Sequence, residues 1–203
     1  MGKRIILLFF TLFAFIARSQ DNNWTLEKDK NGIKIWTRRM PDSKLKEYKG
    51  AVILNTTVDK LVIIFKNLKN HDKIFYKCRP GSVVMVKKVS DDDFYTYMII
   101  NTPIVKDRDV VTHYVFSAPD ASGAVTISLD GAANLVPIKD DFVRVSKMKG
   151  YWKFIPQGSG KVMVVHQAYS SPGGSVPEGL ANSASVDAPY DMLSRLQAIF
   201  SVN

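Results

Sequence analysis

Cysteine is all but missing from this 203-residue chain: Cys78 stands alone, which excludes an internal disulfide and any paired-thiol metal or redox site. Histidine is nearly as scarce. His71, His113 and His166 are scattered, and there is no His-x-x-x-His pair, no Gly-x-Ser-x-Gly elbow and no glycine-rich phosphate loop, so no catalytic residue, metal ligand or cofactor is expected. Each histidine reads as a surface or satisfied core side chain. His71 and Asp72 are adjacent, which on a helix turns them to different faces, and Asp91 to Asp93 reads as a solvated hairpin tip rather than a cation site. Long hydrophobic runs are lacking too. The longest, Ile5 to Ile16 interrupted by Thr11, falls short of the roughly 20 apolar residues a bilayer core requires. Nor is there a Gly/Ser or Pro-rich linker or an internal repeat, which leaves one domain as the economical reading.

The short apolar run has another use. Lys3-Arg4 precedes it and Ala17-Arg-Ser19 follows it, the arrangement of a secretory signal of residues 1–19 cleaved before Gln20, with an uncleaved anchor as the alternative. No cysteine follows for lipid acylation. The mature chain 20–203 is then exported, periplasmic or secreted, and carries 25 Lys+Arg against 19 Asp+Glu, a net +6 in place of the formal +9. A moderate positive field favours anionic surfaces, and export makes nucleic acid an unsuitable partner. With 46% apolar residues, such a chain can bury a core without cross-links.

Patterning suggests the elements. Asn31-Gly32 marks a turn into the alternating strand Ile33 to Arg38, and Leu45 to Leu54 follows as a second strand after the Met40-Pro-Asp-Ser43 turn. Thr57 caps a helix with Val58, Leu61, Val62, Phe65 and Leu68 on one face. Strands are expected at 83–89, 94–100, 109–116, 124–130, 143–154 and 161–169, with a turn at Pro156 to Gly160. A long helix spans 176–200, opened by Ser175 and Pro177 and kinked by Pro189. The prediction is an α+β fold in which seven or eight antiparallel strands form a curved sheet wrapped around the last helix, with space between them for a ligand.

Three segments in order carry a resemblance: Trp24 with Asn31-Gly-Ile-Lys-Ile-Trp-Thr-Arg38; Pro103 with Lys106-Asp-Arg-Asp109; and Gly174-Ser-Val-Pro-Glu-Gly-Leu-Ala-Asn182 leading to Pro189 and Leu193. Over nearly all the mature chain this resembles the START family of lipid-transfer domains related to the steroidogenic acute regulatory protein, in its bacterial secreted type. The wider helix-grip group, including polyketide cyclase-like domains, is the neighbouring reading. What the resemblance implies is a helix-grip fold with a deep apolar tunnel holding one lipid, in a monomer that touches membrane only transiently.

The same resemblance places candidate residues. Leu135, Val136 and Ile138, between Gly131 and Asp140, would correspond to a lid; loop hydrophobics that tuck into the core fit the sequence equally. Tyr97, Tyr114, Trp152, Val186, Tyr190, Leu193 and Gln197 are the expected ligand-binding set, although Tyr114, Trp152 and the helical stripe also suit plain core packing. Cholesterol-binding members carry an arginine at the position of Tyr114, which puts cholesterol itself in doubt. Asp107, Arg108 and Asp109 are expected to brace the shell, with Arg108 paired to an acid or a carbonyl. The function expected is non-catalytic lipid binding and transfer. The alternative is a cyclase-like or hydratase-like enzyme that places Tyr95, Tyr97, Tyr114 or His166 around a substrate, and a packed interaction module is the plainest reading.

Overall fold

The computed structural model describes residues 23–40, 43, 45–174 and 176–201. The expected signal segment 1–19, the centre of the Met40 to Ser43 turn and Ser175 lie outside the described residues.

Strand β1 (Thr25–Lys30) turns into β2 (Ile33–Arg39) through Asn31 and Gly32, whose φ angles of 54° and 74° are the pair a two-residue hairpin of type I′ requires. β3 (Lys46–Asn55) follows. The Thr57 side chain accepts from the Lys60 amide and opens α1 (Val58–Lys66), which buries Leu61 and Phe65. A 3-10 turn at Leu68–Asn70 and the short α2 (His71–Ile74) lead to β4 (Val84–Lys88) and β5 (Asp93–Ile100). Then come β6 (Arg108–Phe116), β7 (Val125–Gly131), β8 (Val143–Arg144), β9 (Lys147–Gly158), β10 (Lys161–Ser171) and α3 (Glu178–Ser201).

The strands form one sheet in the order β1-β2-β3-β10-β9-β7-β6-β5-β4, with β8 added beside β6. This is the helix-grip architecture, with ten strands rather than seven or eight. The expected strand 143–154 is in fact two. β8 pairs parallel with β6, setting Arg144 opposite Asp109, and the chain must leave that pairing before β9 can join β7 and β10. Both edge strands are irregular. The register of β1 shifts between Leu26 and Lys28, and that of β4 between Met85 and Lys87.

α3 lies across β2 and β3 and runs through the buried Pro189. Gly50 permits the approach, since a Cβ there would stand 2.7 Å from Leu193 Cδ1 and 2.9 Å from Ile35 Cδ1. At one end of the concave face α1 acts as a plug. Phe65 packs 4.9 Å from the Trp152 ring and 5.4 Å from Phe154, and all three are fully buried. Each such ring contributes about 1.5–3 kcal/mol by leaving water. Among the described residues no comparable plug fills the opposite half, beneath the first turns of α3, and that asymmetry makes the cavity.

Candidate functional site

The cavity measures ≈ 320 Å³ and lies between the inner face of the sheet and the N-terminal half of α3, within the size range of small-molecule sites. Its walls are mainly apolar: Phe75, Met98, Val110, Leu129, Val145 and Met148. The helix presents Ala181, Ala184, Ser185, Ala188 and Met192, one face at helical spacing. All but Met192 are small, and their smallness leaves the volume open.

One end is closed by His166 and Tyr48. Strand alternation points both inward, His166 opposite Trp152 and Tyr48 opposite Ala168. The imidazole lies flat on Trp152, with ring centres 3.8 Å apart and planes 1° apart. Its Nδ1 is 3.0 Å from the Tyr151 carbonyl oxygen and its Nε2 2.8 Å from the Tyr48 hydroxyl. Burial holds His166 neutral, its pKa lowered to about 4, and pushes the Tyr48 phenol well above its ordinary value. Tyr114, buried against Phe94 at 5.4 Å, reaches the cavity from β6.

The other end is a mouth bordered by Asn101, Thr102 and Pro103, with Lys46, Lys77 and Leu180 around it. The triplet expected to brace the shell stands here, and alternation sends its members to different partners. Arg108 turns inward and donates from Nε to the Pro172 carbonyl at 3.2 Å, from Nη2 to Gly173 at 3.3 Å and from Nη1 to Lys106. It ties β6 to the segment that enters α3. Asp107 accepts from Arg79 Nη2 at 2.5 Å and the Thr102 amide at 2.7 Å, shaping the loop 101–107. Asp109 faces outward and takes both arms of Arg144, at 3.0 and 2.9 Å, with both side chains at most 5% exposed. Arg144 also donates to the carbonyls of Ala133, Val136 and Pro137. Sequence reasoning missed Arg144; the only signal was a charged residue between the apolar Val143 and Val145.

That clasp places the loop 131–140 on the outer face of β5 and β6, away from the cavity. Leu135 and Ile138 are exposed there, Val136 is half-buried, and none of the three lines the cavity. Tyr97 belongs to the same outer layer, with Lys139 Nζ 4.8 Å from its ring centre. Trp152 sits behind the closed end, in the core. On α3 the expected stripe also turns elsewhere. Leu193 is fully buried against Gly50, Val186 packs on the core, Tyr190 accepts from Asn31 Nδ2 at 3.3 Å, and Gln197 donates to the Asn31 carbonyl at 3.2 Å. These four seat the helix on the first strands. Of the seven expected ligand contacts, Tyr114 alone borders the cavity.

The titratable groups do not gather. His71 lies behind Phe75, its Nε2 2.7 Å from the Phe65 carbonyl, while His113 stacks on Tyr95 and meets Asp93 at 2.7 Å on the other side of the sheet. Among the described residues no group of three or more His, Cys, Asp or Glu side chains converges, and no described helix is long and apolar enough to cross a membrane.

No family model matches the chain. A Pseudomonas aeruginosa protein, named only as uncharacterized, is 32% identical over 196 residues, which cover 96% of this chain and 95% of that one. Among solved structures, the STAR-related lipid transfer protein of Xanthomonas axonopodis is 28% identical with a TM-score of 0.80, covering 88% of this chain and 98% of the other. Human StAR-related lipid transfer protein 5 shares the fold at 15% identity and a TM-score of 0.75, over 91% of this chain and 89% of its own.

Proposed function

The chain belongs to the START family of lipid-transfer domains, and on that premise we propose that it is a non-catalytic carrier that holds one lipid in the tunnel between α3 and the sheet. The tunnel itself carries the reading: a mostly apolar space of ≈ 320 Å³ between α3 and the sheet. A lipid burying roughly 400 Å² of apolar surface there would gain on the order of 10 kcal/mol before ordering costs, a useful fraction of what leaving a bilayer costs.

Loading requires the mouth to reach a membrane, and the loop 101–107 supports that role. Ile104 is 98% exposed and holds φ at +76°, a conformation that costs a β-branched residue of order 1–3 kcal/mol and persists mainly where it serves function. Lys77 flanks the opening and suits an anionic headgroup layer. The lid then belongs to this loop rather than to 131–140. In this reading residues 1–19 export a protein that works as a monomer in the periplasm or outside the cell, without a cofactor.

Native mass spectrometry of protein purified from an expressing host tests the proposal. Adducts of lipid mass that organic extraction removes are the expected result; an empty protein that takes up no lipid from vesicles would sink it.

A further inference from the structure

The closed end of the tunnel has a defined hydrogen-bond polarity. A backbone carbonyl only accepts, so the 3.0 Å contact from His166 to Tyr151 O puts the imidazole proton on Nδ1. The ring is buried and neutral, so Nε2 is bare and must accept; the Tyr48 hydroxyl, 2.8 Å away, donates its only proton to it. What remains on Tyr48 Oη is a lone pair. The Tyr151 carbonyl cannot donate, so the opposite tautomer would set two lone pairs against each other there.

The same polarity recurs at three other wall positions. Three more lining hydroxyls give their protons to backbone carbonyls: Thr102 to Ile100 at 3.4 Å, Ser183 to Leu180 at 3.1 Å and Ser185 to Ala181 at 3.2 Å. Their oxygens are thereby turned into acceptors. A ligand group that itself only accepts would set lone pair against lone pair at the closed end, whereas a hydroxyl would complete the chain ligand O–H to Tyr48 to His166 to Tyr151.

We propose that the tunnel selects a lipid bearing a hydrogen-bond donor, the hydroxyl of a sterol or long-chain alcohol, seated with that hydroxyl on Tyr48 Oη, and discriminates against the same lipid capped as an ether. The inference rests on the lipid-carrier reading and specifies which end of which lipid enters first. Tyr48 is a specificity residue that touches the ligand, and His166 positions its proton.

The test is a competition between matched lipids. Phosphatidylcholine vesicles carrying equal amounts of hexadecanol and hexadecyl methyl ether, and a second set carrying cholesterol and its methyl ether, are incubated with the full chain. The protein is reisolated by gel filtration and both partners are quantified by mass spectrometry. Wild type should favour the alcohol about tenfold in one set, the loss of one net hydrogen bond, and that set names the ligand body. Tyr48→Phe should lower uptake of the alcohol about tenfold, to that of the ether, so that the preference falls to about one. His166→Phe, which keeps an aromatic ring on Trp152 and frees the phenolic proton to donate, should raise the share of ether and leave less than a threefold preference. Equal uptake of alcohol and ether by wild type overturns the inference and leaves lipid carriage standing. Uptake of neither alcohol nor ether overturns the inference, and uptake of no lipid of any kind, phosphatidylcholine included, overturns both. If Tyr48→Phe shows no cooperative melt, the wild-type ratio and its response to His166→Phe decide the matter.

Discussion

At the residue scale the informative side chains are those that burial would penalise were they unpaired. Asp109 and Arg144 compensate each other almost entirely out of water, so removing one charge strands the other, at a cost of about 3–5 kcal/mol. Asp109→Asn, which preserves the shape, is expected to lower the unfolding free energy by that amount, read as a lower urea midpoint with an unchanged unfolding slope. His166 behaves differently, because it is held neutral: its pKa is about 4 in the folded protein against an ordinary 6.5. Between those values the unfolded chain binds the extra proton, so the stability contribution is complete above about pH 6.5 and is lost as pH falls towards 4. At neutral pH it amounts to roughly 3 kcal/mol. Denaturant melts at pH 7 and pH 4.5 should show a smaller acid loss in His166→Phe than in wild type; equal losses would mean that the imidazole accepts a proton without unfolding. His71, also lowered by burial, adds to the acid loss in both proteins.

At the element scale the loop 101–107 joins β5 to β6 and exposes Ile104 beside the mouth. Ile104→Asp is expected to slow lipid exchange with vesicles about tenfold without changing the amount of lipid held at equilibrium, since the side chain touches no tunnel wall; unchanged exchange kinetics would remove the loop from the membrane step. The elements differ in how legibly the sequence announces them. Asn31-Gly32 specifies its hairpin because few other residue pairs accept two positive φ angles, and Thr57 with the Leu61 and Phe65 spacing specifies α1. The segment 143–154 is deceptive. Its composition is that of one strand, and what divides it is a bond from Arg144 to a carboxylate 35 residues earlier, to which local patterning is blind. The lid expectation failed on the same bond, because it holds 133–137 on the outer face.

For the whole molecule, the shell was easier to read than its contents. Large apolar residues on α3 mark where the helix packs, and Leu193 does pack, against Gly50. The tunnel wall is instead the run of Ala181, Ala184 and Ala188, which a search for hydrophobic bulk passes over because a cavity is recorded in the sequence as missing volume. Tyr114, placed by the resemblance, borders the cavity because alternation turns it inward; Tyr48 was not singled out, and for Arg108 the coordinates decide for carbonyls between the two kinds of partner that the sequence left open. The corresponding prediction is that Ala184→Phe fills the tunnel, reduces bound lipid at least about fivefold and leaves the melting temperature no lower, since it adds buried contact to an open space. A large fall in melting temperature with lipid retained would show that position to be packed core. The register shifts in the two outermost strands have a further consequence. The sheet is open, so β1 and β4 each present unpaired backbone that another chain can extend. A bulge at Leu26 to Lys28 and another at Met85 to Lys87, each next to lysine, twist those margins out of flatness and surround them with charge, making both poor templates for edge-to-edge polymerisation.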